Sequence, residues 1–163
     1  MEYTVYLTHS TKMIKGGVKK VVSAYLIEFD NAIIKVEALN GISTNISLLQ
    51  ALSKALVYIP ERVELNISTN SRYLQCALTI PHYAQVAKEL LDEIKSKLKN
   101  INWRIVNMSA RIFHSICKEA CSDELSKYSA PEKKGVVPSC TIQIMGDYKS
   151  TKKRILCCRI IYF

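Results

Sequence analysis

The feature that most restricts the fold is a change in the spacing of apolar residues near residue 43. Before it, "YTVYLT" (3–8), "KKVVSAYLIEFD" (19–30) and "AIIKVEAL" (32–39) alternate or run β-branched and apolar, as strands do when successive side chains point to opposite faces. Asp30-Asn31 between the second and third is a two-residue hairpin signal. "HSTKMIKGGVKK" (9–20), between the first two, reads as a flexible loop around Gly16-Gly17 that carries Lys12, Lys15, Lys19 and Lys20.

After the change the period is three to four. "SLLQALSKALVYI" (47–59) places Leu48, Leu49, Leu52, Ala55, Leu56 and Ile59 on one helical face, with Ser43 or Thr44 as N-cap and Pro60 as terminator. "RVELNIST" (62–69) returns to strand and leads into a short helical "NSRYLQCAL" (70–78). A second long helix (84–100), a strand "NWRIVNM" (102–108) and a third helix "ARIFHSICKEACSDEL" (110–125) follow.

Three hairpin-linked strands followed by strands alternating with helices predict an α/β domain: a five-stranded mixed sheet flanked by helices, plus a C-terminal β-hairpin. The expected organisation is a domain over 1–128, a Pro-, Gly- and Lys-containing connector over 129–139, and a hairpin over 140–163. The hairpin strands, "CTIQIM" and "RILCCRIIYF", are too apolar to stay in water, so they are expected to pack on the domain or on another chain. A chain of 163 residues supports one core.

Twenty-three Lys and Arg against fourteen Asp and Glu give a formal charge of +9, which favours polyanionic partners such as nucleic acid. The opening "MEYTVYLTHSTK" lacks a basic-then-apolar leader, and no stretch reaches membrane-spanning length, so an intracellular protein, cytoplasmic or nuclear, with no membrane partner is expected. In that setting the six cysteines (Cys76, Cys117, Cys121, Cys140, Cys157, Cys158) are expected as thiols rather than disulfides. No phosphate loop, dinucleotide glycine pattern, Gly-x-Ser-x-Gly elbow or His-Glu-x-x-His is present, so no cofactor is expected.

Four short motifs sit at fixed places in this order. "LTHS" (7–10) ends the first strand, "STNISLLQAL" (43–52) opens the first helix, "STNSRY" (68–73) ends the fourth strand, and "WRIV" (103–106) is the fifth. Over residues 3–125 the chain thereby resembles the ribonuclease H family. In that family the corresponding motifs are Thr-Asp-Gly-Ser, Asn-Asn-x-x-Glu-Leu, Thr-Asp-Ser-x-Tyr and Trp-x-x-Val, and a final helix carries a last acid. The resemblance implies two divalent metals held by carboxylates, which position the scissile phosphate and generate the nucleophile.

Here the four acidic positions fall on Thr8, Ser47, Asn70 and a residue near Ser115, all neutral. Magnesium requires oxygen ligands, carboxylates above all. The retained Thr44 and Asn45 correspond to residues the family uses along a duplex minor groove. Together with Lys12, Lys15, Lys19, Lys20, Asn70, Ser71 and Arg72 they make a candidate nucleic-acid surface.

The expected function is therefore a catalytically inactive domain that binds RNA, RNA–DNA hybrid or DNA through a basic loop and an emptied cleft. Two alternatives stand beside it: an assembly scaffold that uses the hairpin 140–163 for a protein partner or self-association, and a divergent metal-dependent nuclease. Asn and Ser are also good helix caps, so "STNS" equally suits a polar turn ahead of a helix. His114, Cys117 and Cys121 share one face of the last helix and could hold zinc with Cys140 or the Cys157-Cys158 pair. The same residue types also pack well in a core.

Overall fold

The computed structural model describes residues 1–128 except 15, 84 and 108–110. Lys15, the connector 129–139, the hairpin 140–163 and Cys140, Cys157 and Cys158 lie outside the described residues. The elements run β1 (Glu2–Ile14), β2 (Val18–Phe29), β3 (Ala32–Gly41), α1 (Thr44–Leu56), β4 (Glu64–Thr69), α2 (Arg72–Thr79), a single 3-10 turn (Gln85–Ala87), α3 (Lys88–Leu98), β5 (Asn102–Val106) and α4 (Arg111–Ser126). This is the expected order, and the five strands form one mixed sheet in the order β3-β2-β1-β4-β5.

Two hairpins build three of the five strands of the sheet. Asp30 and Asn31 both take positive φ (52° and 60°), joining Phe29 to Ala32 as a two-residue turn. The β1–β2 connection corrects the sequence reading. The stretch expected as a loop over 9–20 continues the ladder, with Thr8 opposite Ala24, Lys12 opposite Lys20 and Ile14 opposite Val18.

Gly16 and Gly17 supply positive φ at the tip, and the Gly17 amide donates to the Ile14 carbonyl at 3.1 Å. The strands can therefore stay paired almost to the turn, which satisfies backbone groups that a loop would leave to water. Because β4 pairs with β1 only up to Leu7 and β3 with β2 only from Val21, the far end of this hairpin is a two-stranded arm. Lys12, Lys19 and Lys20 are on its strands.

From β3 the chain crosses over β2 and β1 to reach β4, then moves one strand further to β5, and both steps run parallel and in the same direction. Right-handed crossovers moving one way place their helices on one face of a sheet. Accordingly α1, α2 and α3 cover the face that carries Val5, Leu7, Tyr25, Ile27, Leu65 and Ile67. The opposite face, with Tyr6, Val22, Ala24 and Leu26, is covered by Cys117, Cys121 and Leu125 of α4.

Helix α1 is capped by the Ser43 hydroxyl, which accepts from the Ile46 amide at 3.3 Å. Its first turn sits tight against the end of β3. Ser47 is buried and its hydroxyl donates back to the Ser43 carbonyl, while its own carbonyl accepts from the buried Ser23 hydroxyl at 2.8 Å. A Cβ added at Gly41 would overlap the Ser47 hydroxyl. Gly41→Ala should therefore force α1 off the sheet and destabilise the domain by roughly 1–3 kcal/mol, the usual cost of overpacking, read as a lower denaturation midpoint.

Candidate nucleic-acid interface

The parallel pairing of β1 with β4 sets Leu7 beside Thr69, so the residues that follow, Thr8 and Asn70, open side by side where the ladder ends and β1 runs on alone with β2. They line a cleft of about 210 Å³ together with Leu7, His9, Leu48, Thr69, Ser71, His114 and Lys118. Thr8 is almost fully buried. The cleft is shaped by local chemistry at the β4–α2 turn: the Ser71 amide donates to the Thr69 hydroxyl at 3.1 Å, and the Ser71 hydroxyl caps α2 by accepting from the Leu74 amide at 3.3 Å. Asn70 is left exposed between them.

Of the four positions aligned with acids, the structure brings Thr8 and Asn70 together. Ser47 does not line the cleft; its hydroxyl is turned to the Ser43 carbonyl under Gly41, and Leu48 takes its place at the cleft wall. Ser115 is exposed and also lies outside the lining. Helix α4 instead presents His114 and Lys118, one turn apart, because Cys117 and Cys121 fix which side of the helix meets the sheet.

The two thiols belong to the core. Both are fully buried, with Cys117 Sγ 3.7 Å from the Tyr6 carbonyl and Cys121 Sγ 3.7 Å from the Val22 carbonyl. Burial pushes the Cys117 thiol up to about 12 and the Cys121 thiol up to about 11, so neither is a thiolate at neutral pH. His114 faces the cleft away from them, and among the described residues no group of three or more His, Cys, Asp or Glu side chains is arranged to hold a metal.

Among the described residues no carboxylate lines the cleft. Its donors and acceptors are the hydroxyls of Thr8, Thr69 and Ser71, the Asn70 amide, two imidazoles and the Lys118 ammonium. Lys118 makes no ion pair among the described residues. Beyond the rim, Lys12 and Lys20 lie opposite each other on the arm, on the side of the sheet that carries Thr8 and α4, and Lys20 Nζ sits 4.7 Å above the Tyr128 ring. Arg72, Thr44 and Asn45 are not part of the cleft wall; Arg72 begins α2 outside it, and Thr44 and Asn45 occupy the first turn of α1.

No family model matches the sequence, and no curated protein matches it. Solved structures do. A ribonuclease H1 from the halophilic archaeon Halobacterium salinarum superposes with a TM-score of 0.60 at 12% identity, covering 78% of this chain and 99% of that one. The chain has a ribonuclease H-like fold. An N-terminal RNase H domain from Mycobacterium tuberculosis gives 0.56 at 9% identity, over 76% and 98% of the two chains. A third, an RNase H1 solved in complex with an RNA/DNA hybrid, gives 0.53 at 13% identity, over 77% and 97%. In this ribonuclease H-like domain no helix among the described residues is long and apolar enough to cross a membrane.

Both cleft histidines have pKa values below the ordinary 6.5. Burial is the main cause for each, reinforced at His9 by Lys19 and at His114 by Lys118. The His114 Nδ1 is itself buried and has no hydrogen-bond partner among the described residues. A histidine whose folded-state pKa is depressed binds fewer protons folded than unfolded, so stability rises with pH through the window between the two values. Unfolding by denaturant should thus become easier as pH falls between about 7 and 5, and His114→Asn should flatten that dependence.

Proposed function

We propose that this domain binds nucleic acid through the Thr8–Asn70 cleft and the basic β1–β2 arm, and that it does not carry out two-metal phosphodiester hydrolysis. The observation that carries this reading is the lining itself: a cleft where the β1–β4 ladder ends, with an ammonium and two imidazoles and, among the described residues, without a carboxylate. Two divalent cations held close together need anionic oxygens to offset their charge and their dehydration. A hydroxyl from Thr8 and an amide from Asn70, beside the positive Lys118, do not fit that requirement.

The same set of groups suits a phosphate. Lys118, Ser71 and the exposed Asn70 amide offer donors in its lining, and the neutral imidazoles each retain one N–H. Lys12 and Lys20 continue the positive charge along the arm on the side that carries Thr8, so a backbone entering the cleft would meet further cations beyond it. Support also comes from the neighbours: one RNase H1 of this fold is solved with an RNA/DNA hybrid and a foamy viral protease–reverse transcriptase with dsDNA. The partner class is accordingly RNA, hybrid or DNA.

Fluorescence anisotropy with labelled single-stranded RNA, hybrid and duplex DNA at low ionic strength tests the binding. Affinity should fall steeply with salt, and Lys118→Ala should reduce the slope of log K against log salt by about 0.9, the signature of one lost phosphate contact. Absence of salt-dependent affinity for all three would overturn the reading. Incubation of the labelled hybrid with magnesium or manganese should leave it intact. Cleavage that disappears in Asn70→Ala would instead establish a divergent nuclease.

A further inference from the structure

At the side of the sheet remote from the cleft, two strands away from β1, β3 forms an edge. Among the described residues no strand pairs with its outer side. The strand is ten residues long and contains no proline; its one irregularity is a bulge at Ile34, since Glu28 pairs with Ile33 and Ile27 with Lys35, and from Lys35 to Gly41 the register is regular. Edge strands usually avoid pairing with other chains through short length, proline, bulges, charged side chains or a covering element. Beyond the bulge at Ile34 and the single charges Lys35 and Glu37, β3 has none of these devices among the described residues, and two of its large apolar side chains, Ile33 and Ile34, are 43% and 52% exposed.

The charges it does carry are opposite in sign and two residues apart: Lys35 and Glu37, on either side of Val36. Both lie on the α1 side of the sheet, where Lys35 Nζ is 5.6 Å from the Tyr58 ring centre and Glu37 accepts from the Tyr25 hydroxyl at 2.6 Å. In an antiparallel pairing of β3 with a second β3, one register places Val36 opposite Val36. That register sets Lys35 of each copy directly opposite Glu37 of the other. Opposite charges in directly facing positions stabilise a strand pair, and like charges there destabilise it. A register centred elsewhere loses both charge pairs.

We infer that β3 is the seam of a homodimer, in which two copies pair antiparallel about a two-fold axis at Val36 to make one continuous sheet. The occupant is a second copy because the edge is self-complementary in charge about a single residue, as an isologous interface requires. The two clefts would then sit at distant places on a shared sheet. The inference does not depend on the nucleic-acid reading.

The test is a charge-swap series followed by light scattering and sedimentation equilibrium. The wild-type protein should have a dimeric mass at about 100 µM and dissociate on dilution. Lys35→Glu and Glu37→Lys should each place like charges opposite one another and raise the dissociation constant roughly tenfold or more. The double variant Lys35→Glu/Glu37→Lys, and an equimolar mixture of the two singles, should restore the dimer. Lys88→Glu, the same charge change on an exposed position of α3, should leave the mass unchanged. A monomeric wild type, or single variants that dimerise like wild type, would overturn the inference. Because Glu37→Lys removes the acceptor of the Tyr25 hydroxyl and so risks misfolding, hydrogen exchange on the wild type provides a second measure. Exchange of the 33–39 amides should slow as protein concentration rises, and rates independent of concentration would count against the seam.

Discussion

The site rests on one pairing, the parallel ladder between β1 and β4. A hairpin cannot make it; parallel neighbours need a crossover, and here the crossover is α1 spanning the face of β2 and β1. Leu48, Leu49 and Leu52, buried beneath that helix, hold it down. The ladder in turn ends at Leu7 and Thr69, and its end fixes Thr8 and Asn70 as neighbours. The cleft is thus a consequence of where β4 stops while β1 runs on, and its walls come from whatever the adjoining turns and α4 supply.

What they supply is polar and positive. The chain's excess of cations is not spread evenly over function: the ion pairs at Glu2–Arg104, Glu93–Lys97, Glu37–Lys54 and Glu124–Lys127 hold several cations on the flanks. Lys118 stays outside these pairs and faces the cleft. Lowered pKa values at His9 and His114 have the same origin, since a partly desolvated imidazole beside a lysine resists a second positive charge. On the proposed reading a phosphate entering the cleft would relieve that resistance, because an anion favours the protonated ring.

Much of the fold was legible in the sequence because its signals are local. Asp30-Asn31 marked a hairpin and Ser43 a cap, and the change of apolar spacing near residue 43 marked where hairpins give way to crossovers. The arm was misread for a physical reason: Thr, Lys and Gly look like loop residues, yet cross-strand pairing governs them once β2 is in place. At the site, Thr8, Asn70 and Ser71 could be found from motif spacing. His114 and Lys118 could not be assigned, because the turn of α4 that meets the cleft is decided by packing of Cys117 and Cys121 on β1 and β2, a tertiary fact. The one sequence signal was the His114, Cys117, Cys121 spacing, which marks a shared face and points equally to a core and to a metal.

Ser47 shows why alignment alone misplaces a functional residue. Its position in α1 corresponds to an acid by motif, but its side chain is committed elsewhere: buried, back-bonded to Ser43 and pressed against a glycine that tolerates nothing larger. A glutamate there would have to displace β3 or rotate α1 before its carboxylate could approach Thr8 and Asn70. Ser23, Gly41, Ser43 and Ser47 form a contiguous set of small residues that lets the start of α1 lie close on β2 and β3. The neutral residue at 47 is therefore coupled to the packing of the sheet, whereas Asn70, exposed at a turn, is constrained by little except its neighbours in the cleft.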